Sequence, residues 1–357
     1  MISVGENKDI NLLKELALVS HAFLQICNKH LFATVKLHDA VPEHHVASSK
    51  KEFVKLLLSR PYVVKYIRNL TYKVSINHGI RGFYPCSDHD DRLLSPILPN
   101  LLRTISRLNC LKISASVLNW NKLDFSLTSA FLHLMHLPTI NHIDLSSIIN
   151  FPLSSLTPSV NLLRLGMSCV DPLLEGGSDK FVVQSEMMPK IREFHTSESV
   201  QMTMKLLRAE RQDGRPAFNF IDLRRLSISS CYPKWSVLYL LQKAKLLEHL
   251  SIALPSSVRL HELLSPCART LKVLDLAVLV LCESFPRMLS GLCQELEAMA
   301  GHNMLEALSF EVNILDQVDE MENWIRSITK EVEKVLVKPG WSALRQVSFE
   351  FSFGYSS

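Results

Sequence analysis

Residues 223–231 read LRRLSISSC, placing Leu223, Leu226 and Ile228 at the spacing L-x-x-L-x-L. The last two are one position apart, so in a strand they point to the same face and can enter a common core, while Ser227 points the other way. Leu223 turns the chain into that strand. Working outward, the same triplet recurs about ten times. Upstream it reads Ile67-Leu70-Tyr72, Leu108-Leu111-Ile113, Ile140-Ile143-Leu145, Val160-Leu163-Leu165 and Ile191-Phe194-Thr196. Downstream it reads Leu247-Leu250-Ile252, Leu271-Leu274-Leu276, Leu305-Leu308-Phe310 and Leu344-Val347-Phe349.

Between triplets the spacing turns helical, as in Trp235-Leu238-Leu241 or Phe285-Leu289-Leu292-Leu296-Met299, with Pro, Gly, Asn or Ser at the borders. Strand and helix therefore alternate. A short strand, a return helix and a parallel neighbour form one coil, which buries its apolar faces only by stacking on the coils beside it. The expected fold class is α/β: a solenoid with a curved parallel sheet on the concave side and helices on the convex side. Triplet starts lie 20 to 41 residues apart, so several coils carry insertions or longer helices. A compact doubly wound sheet is the alternative, because short apolar strands alternating with helices describe that as well. Phe349, Phe351 and Phe353 alternate with polar residues and read as a last strand with one buried side.

The residue between the paired apolar positions projects from the concave sheet. In chain order these are Thr71, Lys112, Asp144, Arg164, His195, Ser227, Ser251, Asp275, Ser309 and Ser348. From Lys112 to Ser309 they form the candidate partner-binding face, which can read an extended protein by side-chain contacts. Lys73, Lys112 and Arg164 lie early, and Asp275, Glu311 and Glu350 late, which suits a partner of opposite charge at its two ends. A merely solvated face is the plainer reading.

Composition excludes several classes. The 357 residues are 47% hydrophobic and 21% charged, the balance of a folded protein and too long for one ordinary compact domain. With 39 basic and 35 acidic side chains, the net charge of +4 provides no broad basic footprint, so nucleic acid is not expected as a partner. Residues 1–10 lack the cationic stretch and apolar core of a secretory signal. Lys272 and Asp275 interrupt the greasiest run, 271–282, which is short of the ~20 residues a membrane crossing needs. A cytoplasmic or nuclear location without membrane insertion follows as the expectation. The eight cysteines are scattered and form no CxxC pair, which argues against zinc and fits reduced, buried thiols, although an even count permits disulfides.

Catalytic chemistry finds no constellation either, and a non-enzymatic protein without cofactor or metal is expected. His133 and His136 could share a helical face toward a metal but lack a third ligand type. Residues 87–91 (SDHDD) lack the glycine and distal glutamate of a calcium loop, and Gly176-Gly177 lacks the GK[ST] of a phosphate cradle. The charged stretch 207–216 reads as an exposed insertion, and Met187-Met188 and Met202-Met204 as core fillers or loop anchors.

From residue 60 to 353 the chain resembles the leucine-rich-repeat family in its irregular form. Its best unit is Leu223-x-x-Leu226-x-Ile228-x-x-Cys231, with the family's Cys or Asn step repeated at Asn313, whereas Ser116, Pro255 and Leu279 depart from it. Residues 9–37 carry a helical apolar stripe of Leu12, Leu16, Val19, Phe23 and Ile26. The order Leu18-Val19-Ser20, Phe23, Cys27, His30-Leu31-Phe32 and then Val35-x-Leu37 resembles the distal part of an F-box. That resemblance implies docking on a Skp-type adaptor through Leu12, Leu16, Val19 and Phe23. The repeats would then choose an unknown protein substrate for a cullin-RING ubiquitin ligase. The family's opening Leu-Pro helix would lie before Met1, and these helices could equally cap the open end of the array, leaving an adaptor-independent scaffold. The expected division is a truncated F-box-like segment over 1–40 and a solenoid of about ten coils over 41–357.

Overall fold

Burial follows the triplets. In the computed structural model, the described residues are 15, 20–38, 49–74, 89–173, 180–181, 187–229, 234–254, 259–280, 285–301, 303–314 and 321–353. The leading triplet members Ile67, Leu108, Ile140, Ile191, Leu223, Leu247, Leu271 and Leu305 are all essentially inaccessible to solvent. The two triplet residues that follow each of them are buried, all apolar except Thr196, and the residue between those two reaches the other face.

The chain divides into two compact units. The first comprises Met1–Pro189 with Arg208–Phe218. It holds strands β1 (Thr34–Leu37), β2 (Asn69–Val74), β3 (Cys110–Asn119), β4 (His142–Phe151) and β5 (Arg164–Pro172). These lie parallel and side by side in chain order. Helices α1 (His21–Leu31), α2 (Ser49–Ser59), α3 (His89–Arg103) and α4 (Phe125–Met135) precede or join them. A short parallel pair, β6 (Lys180–Phe181) with β8 (Glu210–Arg211), lies apart from that sheet. The second unit comprises Lys190–Leu207 with Asn219–Ser357. Its strands β7 (Glu193–Ser197), β9 (Arg225–Ile228), β10 (His249–Leu254), β11 (Val273–Val280), β12 (Ala307–Ile314) and β13 (Gln346–Phe353) are again parallel and in chain order. Between them run α5 (Val200–Arg208), α6 (Lys234–Lys243), α7 (Leu260–Leu264), α8 (Phe285–Met299) and α9 (Met321–Leu336). Within neither unit does strand order reverse, so the doubly wound alternative is not adopted.

One hydrogen-bond device repeats at each handover between coils. The carbonyl just before a strand accepts two successive N–H groups of the next coil: Arg68 O from Asn109 and Cys110, Asn109 O from Asn141 and His142. In the second unit Arg224, Glu248, Lys272 and Glu306 do the same for the coils after them. This satisfies the groups where the chain turns into the strand, which would otherwise be orphaned. It also locks register.

The helices cover the buried face. Asp124 caps α4 by accepting from Ser126 N at 2.9 Å and Leu127 N at 3.3 Å, and α4 in turn buries Phe131, Leu134 and Met135. Phe131 meets Tyr72 of β2 edge-on at 5.0 Å. From α2 the largely buried Lys50 lays its ammonium 4.3 Å from the same Tyr72 ring. In the second unit Phe310 stacks on Phe349 at 5.0 Å.

Two sequence expectations change. The strand-like segment Val35-x-Leu37, assigned to the N-terminal helical segment, is a sheet strand paired in register with β2. The fourth triplet is displaced by two residues: Leu162, Leu165 and Met167 are buried, while Val160 and Leu163 are partly accessible. Asn141 O accepts from Leu163 N and Arg164 N, the first and second positions after Leu162, as at the other handovers. Adjacent leucines and a methionine in the third slot made both registers fit the pattern, and the unbranched thioether of Met167 is buried in the one adopted.

Candidate functional site

Strand pairing places the open-face residues in rows. In the first unit Lys36, Thr71, Lys112, Asp144 and Gly166 are consecutive partners across β1 to β5. Arg164 is therefore not beside Asp144, as the sequence reading had it. It is exposed on the same face but pairs with His142, in a row with Thr34, Asn69 and Cys110. In the second unit His195, Ser227, Ser251, Asp275, Ser309 and Ser348 form one unbroken row, as expected.

Several side chains on these faces bond across strands. Lys112 Nζ reaches Asp144 Oδ2 at 3.0 Å. Asp144 in turn lies over Gly166, where a Cβ would come within 2.5 Å of its Oδ1, so only glycine fits the present carboxylate position. Next to it Cys110 Sγ and His142 Nδ1 are 3.3 Å apart. Burial raises the Cys110 thiol above its ordinary range, with Asp144 adding to this against Lys112 and Arg164. The thiol is thereby held protonated, the reverse of what a nucleophilic cysteine needs. On the other unit His249 Nε2 bonds Asp275 Oδ2 at 2.7 Å, and among the described residues no serine hydroxyl is bonded to His249. Both pairs tie polar side chains together across neighbouring strands of the open face. Spacing gave no sign of them, since each joins residues on separate coils.

The first unit's open face is mostly basic, with Lys36, Lys73 and Arg164 exposed and only Asp144 of opposite sign in the two rows that hold these pairs. The second unit's face is acidic toward its last strands, where exposed Glu311 and Glu350 are register partners. Like charges directly opposite one another are unfavourable unless something positive lies nearby.

Of the expected adaptor contacts, Leu12, Leu16 and Val19 lie outside the described residues. Phe23 on α1 is 44% exposed, as is the neighbouring Ile26 at 50%, whereas Cys27 and Asn28 on the same helix are buried. Ser20 caps this helix, accepting from Phe23 N at 3.3 Å. His136 Nε2 donates to the Ser155 carbonyl at 2.8 Å, and no group of three or more His, Cys, Asp or Glu is placed for a metal among the described residues. Residues 87–88 and 176–177 lie outside the described residues. Of the stretch expected as an exposed insertion, Arg211 is buried, and Asp213 turns the chain by accepting from Arg215 N at 3.0 Å. Met202 and Met204 are buried, as core fillers should be, whereas Met187 is 62% exposed and fills no core. No helix among the described residues is long and apolar enough to cross a membrane.

What fold and site define is a class: an α/β protein of stacked strand-and-helix coils whose sheets present open polar faces. No protein-family model matches the chain, and no curated protein does. Among solved structures it is similar to the crystal structure of a Bacteroides fragilis protein, a Northeast Structural Genomics Consortium target. The two are 10% identical with a TM-score of 0.40, over 70% of this chain and 68% of that one.

Proposed function

We propose that the chain is a non-enzymatic recognition protein of the leucine-rich-repeat kind, led by an F-box-like segment, and acts as a substrate receptor of a cullin-RING ubiquitin ligase. The observation that carries the reading is the in-register row of accessible polar side chains that alternates with rows of buried, mostly apolar ones. Such a ladder offers an extended protein many side-chain contacts on a rigid base. The first unit's face suits an acidic stretch of partner and the end of the second a basic one, by charge. Adaptor docking is supported by Phe23 and Ile26, apolar side chains of α1 that stay in solvent while Cys27 and Asn28 of the same helix are buried. Exposed apolar side chains about one helical turn apart are what a docking surface requires.

Co-expression with a Skp-type adaptor tests this. The intact chain should co-purify with the adaptor, and Phe23→Asp with Ile26→Asp should cut recovery about tenfold or more, as for loss of an interface anchor. The unfolding midpoint should not move, because both side chains are exposed. Failure of the intact chain to bind would remove the ligase role and leave an adaptor-independent scaffold.

A further inference from the structure

The last strand of the second unit differs from the strands before it. Among the described residues β13 pairs on one side only, with β12. Its apolar residues occupy positions that are sealed one coil earlier: Leu308, Phe310 and Val312 are buried, but their partners Val347, Phe349 and Phe351 are partly accessible, Val347 to 40%. Gln346 N–H donates to Glu306 O at 3.1 Å. By the alternation of a parallel ladder, the main-chain groups of Val347, Phe349 and Phe351 then face away from β12. This edge is eight residues long, with no proline, no lysine and a single charge, Glu350. Edges are normally blunted by such devices. At the first unit's edge, β1 is only four residues long, carries Lys36, and has its outward Lys36 carbonyl taken by Ser49 Oγ at 3.1 Å.

We infer that β13 is the seam of a homodimer, pairing antiparallel with β13 of a second copy about a twofold axis at Phe349. The alternation of apolar and polar side chains is self-complementary, which favours a second copy as occupant and sets the register. With Phe349 opposite itself, Val347 meets Phe351, Ser348 meets Glu350 and Gln346 meets Ser352, so apolar faces apolar and a hydroxyl can donate to each carboxylate. The stacked rings of Phe310, Phe349 and Phe351 then continue into the partner's identical row. A shift of two residues in pair sum one way would set Glu350 against Glu350, which like-charge repulsion disfavours. Shifted the other way, Val347 would meet Phe349 and Phe351 would lose its apolar partner. The outward main-chain groups of Val347, Phe349 and Phe351 exchange hydrogen bonds in the favoured register, which satisfies the edge with its own sequence.

Light scattering on the purified full chain at tens of micromolar should give twice the 40.5 kDa monomer mass. Val347→Pro removes an outward N–H without touching the β12 ladder and should give a folded monomer, its fold checked by circular dichroism. Two exposed-face variants report register without risk to the core. Ser348→Lys places two ammonium groups opposite two Glu350 carboxylates and should tighten the dimer roughly fivefold, whereas Ser348→Glu should loosen it by a similar factor. A monomer at every concentration overturns the inference. So does a dimer indifferent to these substitutions, or open-ended assembly, which would mean pairing with a different edge.

Discussion

Gly166→Ala should open the Lys112–Asp144 ion pair without altering either partner, and the distances set how much that matters. A Cβ at position 166 would stand 2.5 Å from Asp144 Oδ1 and 3.1 Å from its Cγ, but 3.7 Å from its Cα. The backbone is clear, so the carboxylate alone must swing aside, by about 1 Å to regain an ordinary contact. That movement draws it off Lys112 Nζ, now 3.0 Å away. Because the two side chains are 45% and 33% exposed, the pair contributes about 0.2–1 kcal/mol. Removing a glycine from a strand interior recovers roughly 0.5–1 kcal/mol, so in the parent chain the two effects nearly offset. In an Asp144→Ala background the obstruction is gone, and the same substitution should stabilise by roughly 0.5–1 kcal/mol. Urea unfolding of the four proteins at pH 7 should therefore give an unfavourable coupling of about 0.5–1 kcal/mol. Repeating the cycle in ~1 M salt should shrink the ionic part and spare the steric part. A coupling under about 0.2 kcal/mol, or a double variant less stable than Asp144→Ala, would show that Asp144 does not lie over Gly166.

Two further outcomes rest on the core. Phe310→Ala deletes a buried ring stacked on Phe349 and should cost about 3–5 kcal/mol, read from denaturant midpoints; a loss below about 1 kcal/mol would mean the last coil is not docked. Burial pushes the Cys267 thiol up to about 12 from an ordinary 9.0, so the folded protein keeps a proton that the unfolded chain releases. Its contribution is whole below pH 9.0 and is lost as pH rises toward about 12, at up to about 1.4 kcal/mol per pH unit. Cys267→Ala should flatten the decline in stability above pH 9.0, and an unchanged slope would count against a buried thiol at this position.

Much of the architecture was legible because it repeats. A single L-x-x-L-x-L match says little, but ten in sequence order each correspond to a strand, and eight of the leading residues sit where the chain turns into one, out of reach of water. Of the two exceptions, Leu344 keeps its register but is partly accessible, and the other is instructive. Around 160–167 the chain offers Val160, Leu162, Leu163, Leu165 and Met167, so two registers satisfy the same spacing, and the choice depends on handover hydrogen bonds and on how Met167 fills its slot. The N-terminal stripe shows a related limit. Periodicity placed Phe23 and Ile26 on an apolar face, yet whether anything covers that face is set by neighbours far along the chain.

The slip at Arg164 also explains why the face was easier to read than the site. Side chains in a strand alternate with a period of two, so a register error of two residues returns every side chain to its proper face and changes only its neighbours. Arg164 accordingly stays exposed on the open face, but its row partners become Cys110 and His142 in place of Lys112 and Asp144. The proposed recognition depends on those partners: the Lys112–Asp144 pair, the carboxylate over Gly166 and the Cys110–His142 contact each join coils more than twenty residues apart. Membership of a face is thus a local property of spacing, whereas a binding surface is a property of register between coils. In an array with coils of unequal length, register comes from packing and hydrogen bonding at each handover, and that is where the partner's specificity must be sought.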